Sequence, residues 1–175
     1  MLKKLFLFCE MLLYVSFFFA DFISLKYLSI VLCFFYTLNQ GRERLILAII
    51  LMADYCLLLQ TYYHMGVFLF IVVQYFYHYF YFHKNLWYLV LISLIGYHQL
   101  VFLSFIYLFF SLINIITAYK QHHWLIITLL LLALCDINVA LQYIMKIKKP
   151  MIWIFYLPSQ VYFVLKTSKD KSTAS

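Results

Sequence analysis

The chain of 175 residues is 67% hydrophobic and 11% charged, with three glycines and two prolines, so it has too little polar surface for a water-soluble globule and too few turn residues for a membrane β-barrel. Its formal net charge of +7 comes from basic residues dispersed over connectors and the tail, which do not form the kind of patch that binds nucleic acid. We therefore expect an all-α integral membrane protein, a bundle of about eight transmembrane helices.

Four predicted spans occupy the first half of the chain, where polar residues interrupt the apolar runs. The first run is similar to a signal peptide, but Phe18 and Ala20 do not make the small-residue pair of a cleavage site, so we keep it as a span. Its one acid, Glu10, either reaches the interface or has a function, and the sequence favours neither. The four spans are Met1–Ala20, Phe22–Leu38, Leu45–Leu59 and Met65–Phe82.

The second half is predicted to contain four more spans. Residues 86–118 are too many for one ordinary span, and Gly96–Gln99 is the plausible break between spans 5 and 6. Span 7 covers Trp124–Tyr143 and span 8 follows Pro150, with Pro158 expected to kink it. We expect residues 1–166 to form a single polytopic domain and residues 167–175 a polar C-terminal tail.

The distribution of Lys and Arg predicts the orientation. With eight spans and the N-terminus inside, nine basic residues lie inside and four outside; treating residues 86–118 as one span changes this to eight and five. Eight spans with both termini cytoplasmic are therefore favoured. The abundance of Phe, Tyr, Ile and Lys is typical of AT-rich bacterial genomes, and we expect a bacterial cell membrane.

Two acids near the middle of predicted spans, Asp54 and Asp136, require an explanation. A carboxylate at mid-span costs about 2.5 to 3.5 kcal/mol on insertion scales, and such groups usually face a bundle interior or a wet cavity. If the acids only tied helices together, each interhelical hydrogen bond would return about 0.6 kcal/mol, which does not offset that cost. A functional cavity is therefore favoured for the pair.

The surroundings of the two acids suggest a tandem repeat of four plus four helices. The acids are 82 residues and four spans apart, so their helices cross the bilayer in the same direction. Gln74 and Tyr77 follow the first acid by 20 and 23 residues, and Tyr156 and Gln160 follow the second by 20 and 24. Each acid-bearing helix is predicted to pair with a helix that carries a tyrosine and a glutamine on one face.

Two carboxylates in one cavity can perform acid and base chemistry. Burial and mutual repulsion keep one of them protonated while the other is ionised, so one can donate a proton and the other can position water. The sequence has no nucleophile elbow, zinc-binding H-E-x-x-H or phosphate-binding glycine loop. His122 and His123 are adjacent and would diverge on a helix, which favours an interfacial location, and we expect no metal and no cofactor.

Several short elements occur in order along most of the chain: Leu25-Lys26, Ala53-Asp54, Gly66, Phe70, Gln74, Tyr77, Cys135-Asp136, Ala140, Tyr156, Ser159 and Gln160. In order and spacing they resemble the YhhN-like lysoplasmalogenases, integral membrane proteins of about eight spans. The chain departs from the family pattern at four positions. Tyr27 stands in place of proline, Gln74 in place of histidine, and Ala53 and Cys135 in place of the residues before the acids.

The resemblance implies an activity in lipid metabolism: hydrolysis of the vinyl ether bond of lysoplasmalogens to a fatty aldehyde and a glycerophospho-base. It implies that Asp54 and Asp136 are the catalytic pair, and that the partner is a membrane lipid, a lysophospholipid or lysoplasmalogen. Lys26 would meet the lipid phosphate or be an ordinary interfacial lysine. Gln74, Tyr77, Tyr156 and Gln160 would support the acids or the water.

Two other classes of function remain open on the sequence. A transporter or lipid-binding membrane protein would use the same acids as a proton or cation site, although one internal proline and few glycines give little sign of broken helices. A packing subunit without chemistry of its own is the third possibility. The enzyme and the transporter both require Asp54 and Asp136 to face one cavity.

Overall fold

The computed structural model of the chain describes residues 2–19, 23–58, 62–145 and 151–172. These described residues form eight α-helices and contain no β-strand, which confirms the all-α class. The helices are α1 (Leu2–Phe19), α2 (Ile23–Tyr36), α3 (Gly41–Leu58), α4 (Tyr63–Phe82), α5 (Trp87–Ile95), α6 (Leu100–Lys120), α7 (Leu125–Met145) and α8 (Met151–Ser172).

The contacts between helices divide the chain into two compact units. Unit 1 consists of Met1–Gln40 and Trp124–Ser175, and it contains α1, α2, α7 and α8. Unit 2 is the continuous segment Gly41–His123, which contains α3 to α6. Asp54 therefore belongs to unit 2 and Asp136 to unit 1.

Unit 2 is organised around α4, which packs against α3, α5 and α6, while α5 also packs against α6. Its apolar core consists of Ile71, Leu89, Leu103, Ile106 and Phe110. Phe70 contacts Tyr107, and farther along both helices His78 contacts Asn114. The helices α4 and α6 therefore run parallel. The start of α3 meets the end of α4, so these two helices are antiparallel.

Unit 1 is organised around α8, which packs against α7, α2 and α1, while α1 also packs against α2. Leu129 on α7 and Leu157, Phe163 and Val164 on α8 are buried, so the facing sides of these two helices are apolar for most of their length.

The two units have the same internal arrangement of helix contacts. When each helix is matched with the helix four positions away along the chain, α3–α4 corresponds to α7–α8, α4–α6 to α8–α2, α5–α6 to α1–α2 and α4–α5 to α8–α1. Both acid-bearing helices, α3 and α7, pack against the helix that carries the tyrosine and glutamine. This confirms the predicted pairing.

Among the described residues, two helices, α4 and α6, are long and apolar enough to cross a membrane, and the apolar stretches Tyr27–Tyr36 and Leu125–Val139 are shorter. Residues 86–118 do form two helices separated at Gly96–Gln99, as predicted. However, α5 has only nine residues. Such a helix rises about 13 Å, less than half the thickness of a bilayer's hydrocarbon core.

Two helix ends differ from the predicted boundaries by more than two residues. Helix α3 begins at Gly41, inside the predicted connector 39–44, and Glu43 in its first turn is buried, where the helix dipole favours an acid. Helix α8 continues through Pro158 to Ser172, so the predicted tail begins within a helix. Thr167 is buried there, and its hydroxyl donates to the Phe163 carbonyl and to the Gln40 side chain.

Candidate functional site

Asp54 lies on the buried face of α3, near the C-terminal end of the helix. Only 6% of its surface is exposed, and Ala53 beside it is fully buried. On the same face Ile46, Leu47 and Ile50 are also fully buried, so the carboxylate follows three aliphatic side chains. An acid in such surroundings is costly unless it is neutral or paired, and residues of this kind usually serve a function.

Gly66 brings α4 close to α3 beside Asp54. A Cβ atom at Gly66 would lie 2.6 Å from Leu57 Cδ2 and 3.1 Å from the Ala53 carbonyl oxygen. Both distances are shorter than ordinary contacts, so a larger residue would force the two helices apart or displace Leu57. Glycine therefore fixes the geometry of the helix pair at the level of the acid.

A buried polar cluster connects α4 and α6. Asn114 Nδ2 donates to both the Gln74 side-chain oxygen (2.7 Å) and the Gln74 carbonyl oxygen (2.9 Å). Asn114 Oδ1 lies 2.7 Å from His78 Nδ1. All three side chains are at most 1% exposed. We call Gln74, His78 and Asn114 the α4–α6 cluster.

His78 is a residue that the sequence analysis missed as a site candidate. It lies one turn after Gln74 on α4, and its ring contacts Phe82 and Phe110 edge to face. In the sequence it is enclosed by tyrosines and phenylalanines, a composition typical of an aromatic belt at the membrane interface and not of a buried polar site. The signal that could have identified it is Asn114, another polar residue inside an apolar span.

The α4–α6 cluster and Asp54 form two separate polar layers of unit 2. The register of α3 and α4 is fixed by Tyr81, whose hydroxyl donates to Glu43 (3.5 Å), and by the contact of Gly66 beside Asp54. Gln74 lies eight residues beyond Gly66, about 12 Å of helix rise. Tyr77, fully buried, lies at the level of the cluster on α4, with its ring 6.5 Å from the Tyr81 ring.

In unit 1, Asp136 lies on α7 and is half-buried, while Cys135 beside it is buried. On α8, Tyr156 is 5% exposed and Gln160 is fully buried. The contact of Trp124 with Phe163 sets the register of the antiparallel pair and separates Asp136 from Gln160 by about 13 Å along the helices. As in unit 2, the acid and the glutamine occupy different layers.

Ser159, Gln160 and Thr128 form a second group of buried polar side chains in unit 1. Ser159 Oγ donates to the Tyr156 carbonyl oxygen (2.5 Å), and Gln160 Nε2 donates to Ser159 Oγ (3.4 Å). Among the described residues, Gln160 Oε1 and Thr128 Oγ1 have no hydrogen-bond partner. All three residues are fully buried.

Glu10 is also buried, at 3% exposure, in contrast to the interfacial location that the sequence left open. Its two carboxylate oxygens each accept from α2: one from Ser29 Oγ, the other from Cys33 Sγ (3.7 Å). The acid thereby joins α1 to α2. Its location was hidden in the sequence because the donors lie in the following helix.

Lys26 belongs to α2 and Ala140 to α7, but both side chains lie outside the described residues. Phe70 packs its ring edge against Tyr107. Within the described parts of the chain, no three His, Cys, Asp or Glu residues are grouped so as to hold a metal ion. The four cysteines are free thiols, buried at positions 33 and 135 and half-buried at positions 9 and 56.

Comparisons with known protein families, with curated proteins and with solved structures find no match for this chain. The chemistry available to it is that of its own buried groups. They include the Asp54 carboxylate beside a close helix crossing in unit 2, the half-buried Asp136 carboxylate in unit 1, the buried acids Glu10 and Glu43, and in each unit a separate layer of uncharged polar side chains. Carboxylates in apolar surroundings can hold and release protons, and the uncharged layers can orient a hydroxyl group.

Proposed function

We propose that this protein is an integral membrane hydrolase that cleaves the vinyl ether bond of lysoplasmalogens. The observation that carries the proposal is the burial of Asp54 in the apolar contact of α3 and α4, at the one glycine that allows that contact. The ordered resemblance to the YhhN-like lysoplasmalogenases supplies the substrate. Asp136, at the equivalent position of the repeat, is the second acid.

The side chains that the two units expose support a location in a lipid bilayer. In unit 2, Ile95, Val101 and Phe105 are 87%, 71% and 66% exposed, and in unit 1 Met11 is 69% exposed. Apolar surface of this extent is unfavourable in water and neutral in lipid. We propose a bundle of eight helices in the membrane, built from a four-plus-four repeat whose support is the matching set of helix contacts in the two units.

The reaction begins when one aspartic acid protonates the alkene carbon that does not bear oxygen. The carbon bonded to oxygen becomes an oxocarbenium ion, which the second, ionised aspartate stabilises. Water adds to this carbon and returns a proton to the carboxylate. The hemiacetal then breaks its bond to the glycerol oxygen, releasing a fatty aldehyde and the glycerophospho-base, with no net consumption of protons.

The remaining residues act on the substrate, since the two glutamines lie in layers apart from the acids. Lys26, near the start of α2, is suited to the lipid phosphate because an ammonium group pairs with it strongly. Tyr77, Tyr156, Gln74 and Gln160 supply uncharged polar groups to the interior. Because Gln74 cannot titrate, proton transfer is confined to the two aspartates in this scheme.

The test is aldehyde release from a lysoplasmalogen by the purified protein in lipid nanodiscs. Asp54→Asn and Asp136→Asn keep the size of each side chain and remove its proton, so each is expected to abolish release, a loss of at least about 100-fold for an acid–base group. Glu10→Gln is the matched control, because it changes another buried acid outside the proposed pair. Equal activity of wild type and Asp136→Asn rejects the proposal.

A second candidate, transport of a proton or cation coupled to a solute, is favoured by one feature of unit 2. Helix α5 has nine residues, and the non-helical segment before it turns back along α4, since Tyr75 donates to Asn85 Oδ1 (3.3 Å). Short helices joined to irregular backbone line the binding sites of many transporters. Proton uptake into liposomes that requires Asp54, without aldehyde release, would select this function.

A further inference from the structure

Two buried polar atoms in equivalent positions lack a hydrogen-bond partner among the described residues: His78 Nε2 and Gln160 Oε1. His78 is 24 residues after Asp54, and Gln160 is 24 residues after Asp136. Their helices, α4 and α8, are equivalent in the contact patterns of the two units. A feature that occurs independently at both positions of a repeat is unlike a local packing defect.

In unit 2, the hydrogen bonds of the α4–α6 cluster determine which nitrogen of His78 carries the proton. Both donor bonds of Asn114 Nδ2 go to Gln74, so Asn114 Oδ1 faces His78 Nδ1 as an acceptor. A neutral His78 must then be protonated at Nδ1 and has its lone pair at Nε2. The ring is fixed by this bond and by contacts with Phe82 and Phe110, so Nε2 is a fixed acceptor.

In unit 1, Gln160 presents the same kind of atom. Its Nε2 donates to Ser159 Oγ, and Oε1 remains an acceptor in a fully buried side chain. Thr128 Oγ1, also buried and without a partner in the described chain, lies at the same level of the α7–α8 pair, given the contact of Trp124 with Phe163 one turn away. A hydroxyl group between them could donate to Gln160 and accept from Thr128.

We propose that His78 Nε2 and Gln160 Oε1 are two equivalent internal sites for a neutral hydroxyl donor. A buried acceptor without a partner is costly, and an ordered hydroxyl is the usual remedy. The donor is neutral because the side chains in contact with His78 (Asn114, Phe82 and Phe110) and with Gln160 (Ser159) carry no charge, so a buried cation would lack a counter-charge. Two sources share this chemistry: water, and the free hydroxyl of a lysolipid glycerol. The sites do not depend on the vinyl ether reaction.

The experiment is ¹⁵N NMR of the full chain in lipid nanodiscs, with its histidines labelled. The unprotonated imidazole nitrogen of a neutral histidine resonates apart from the protonated one, and accepting a hydrogen bond moves it toward the protonated value. The His78 signals are assigned with His78→Gln. If that variant does not fold, assignment is by elimination, using single substitutions of the five other histidines, which are exposed or half-buried.

We expect Nδ1 to be protonated and Nε2 to show the shift of a hydrogen-bonded acceptor. If adding lysophospholipid leaves that shift unchanged, the donor is water; if it moves the shift, the donor is the lipid hydroxyl. An Nε2 signal at the position of a free acceptor, or a proton on Nε2, overturns the proposal. None of these outcomes requires aldehyde release, so failure here is distinguishable from failure of the proposed function.

The unit 1 site is tested by a double-mutant cycle in the same nanodiscs. Thr128→Val and Gln160→Leu each remove one side of the site with little change in volume. A shared hydroxyl predicts that the melting temperature of the double variant differs from the sum of the two single shifts. Additive shifts overturn the proposal for Gln160.

Discussion

Asn114 is the residue on which the interior of unit 2 depends most. It supplies both donors to Gln74 and the acceptor to His78, and it is fully buried. The sequence shows only an asparagine inside an apolar span, because its partners lie 36 and 40 residues earlier.

Replacing Asn114 with leucine should destabilise the protein. The substitution breaks three hydrogen bonds and leaves His78 and Gln74 buried without partners. Interhelical hydrogen bonds in membranes are worth about 0.6 kcal/mol each, so we expect a loss of about 2 kcal/mol. Reversible unfolding in SDS measures it. Asn138→Leu is the control, because Asn138 donates only to the Leu134 carbonyl of its own helix; equal losses in the two variants would contradict this role.

His83 and His122 end α4 and α6 in a left-handed conformation, with φ of 54° and 49°. Glycine normally occupies such a position because a Cβ is unfavourable there. The chain has three glycines, and none of the described ones has positive φ. These histidines therefore tolerate strain at helix ends.

We expect His83→Gly and His122→Gly to raise the free energy of unfolding by up to about 1 kcal/mol, because each substitution relieves the backbone strain of a left-handed residue. His64→Gly provides the opposite control. His64 lies within α4, where glycine should cost about 1 kcal/mol. Thermal unfolding in one detergent compares the three variants, and a loss of stability at both helix ends would be inconsistent with strain.

At the scale of elements, hydropathy predicted most helices, and the spacing of the acids predicted the pairs α3–α4 and α7–α8. The predicted break at Gly96–Gln99 leaves ten residues, 86–95, for span 5, and α5 has nine. What the sequence could not show is the bond that holds the segment before α5 to α4, in which Asn85 Oδ1 accepts from Tyr75 as well as from the nearby Trp87 amide (3.3 Å). The sequence could not identify His78 either, since its partner Asn114 is in another helix.

The crossing of α3 and α4 gives a prediction of its own. Gly66→Ala places a methyl group against Leu57 and the Ala53 carbonyl, so it should cost about 1 to 3 kcal/mol and reduce activity by shifting Asp54. Gly41→Ala is a matched control, because a Cβ there meets nothing within 4 Å. Unfolding and aldehyde release are measured together. If Gly66→Ala behaves like Gly41→Ala, the close approach is unimportant.

At the scale of the whole molecule, the similar surroundings of the two acids predicted the pairs α3–α4 and α7–α8 but not which helices make up each unit. A simple reading would place the first four helices in one unit. Instead unit 2 takes α3 to α6, and unit 1 takes the helices on both sides of them. A repeated sequence pattern is compatible with helices that pack within each repeat. It is equally compatible with helix pairs exchanged between the repeats, because the contacting faces are the same. Only tertiary structure distinguishes these two cases.

The predicted orientation is tested by reporter fusions in bacteria. With both termini cytoplasmic, green fluorescent protein at the C-terminus should fluoresce, and alkaline phosphatase fused after residue 148 should be active outside. Phosphatase fused after residue 121 should be inactive. The basis is the excess of Lys and Arg in the connectors on the inner side. Activity in the reverse pattern would exclude this orientation.

The most direct test of the central claim is the rate of aldehyde release from a lysoplasmalogen by the purified protein in nanodiscs. We predict release by wild type and by Glu10→Gln, and a loss of at least about 100-fold in both Asp54→Asn and Asp136→Asn with their folding unchanged. Absence of release by folded wild-type protein, or undiminished release by either aspartate variant, would contradict catalysis by this pair.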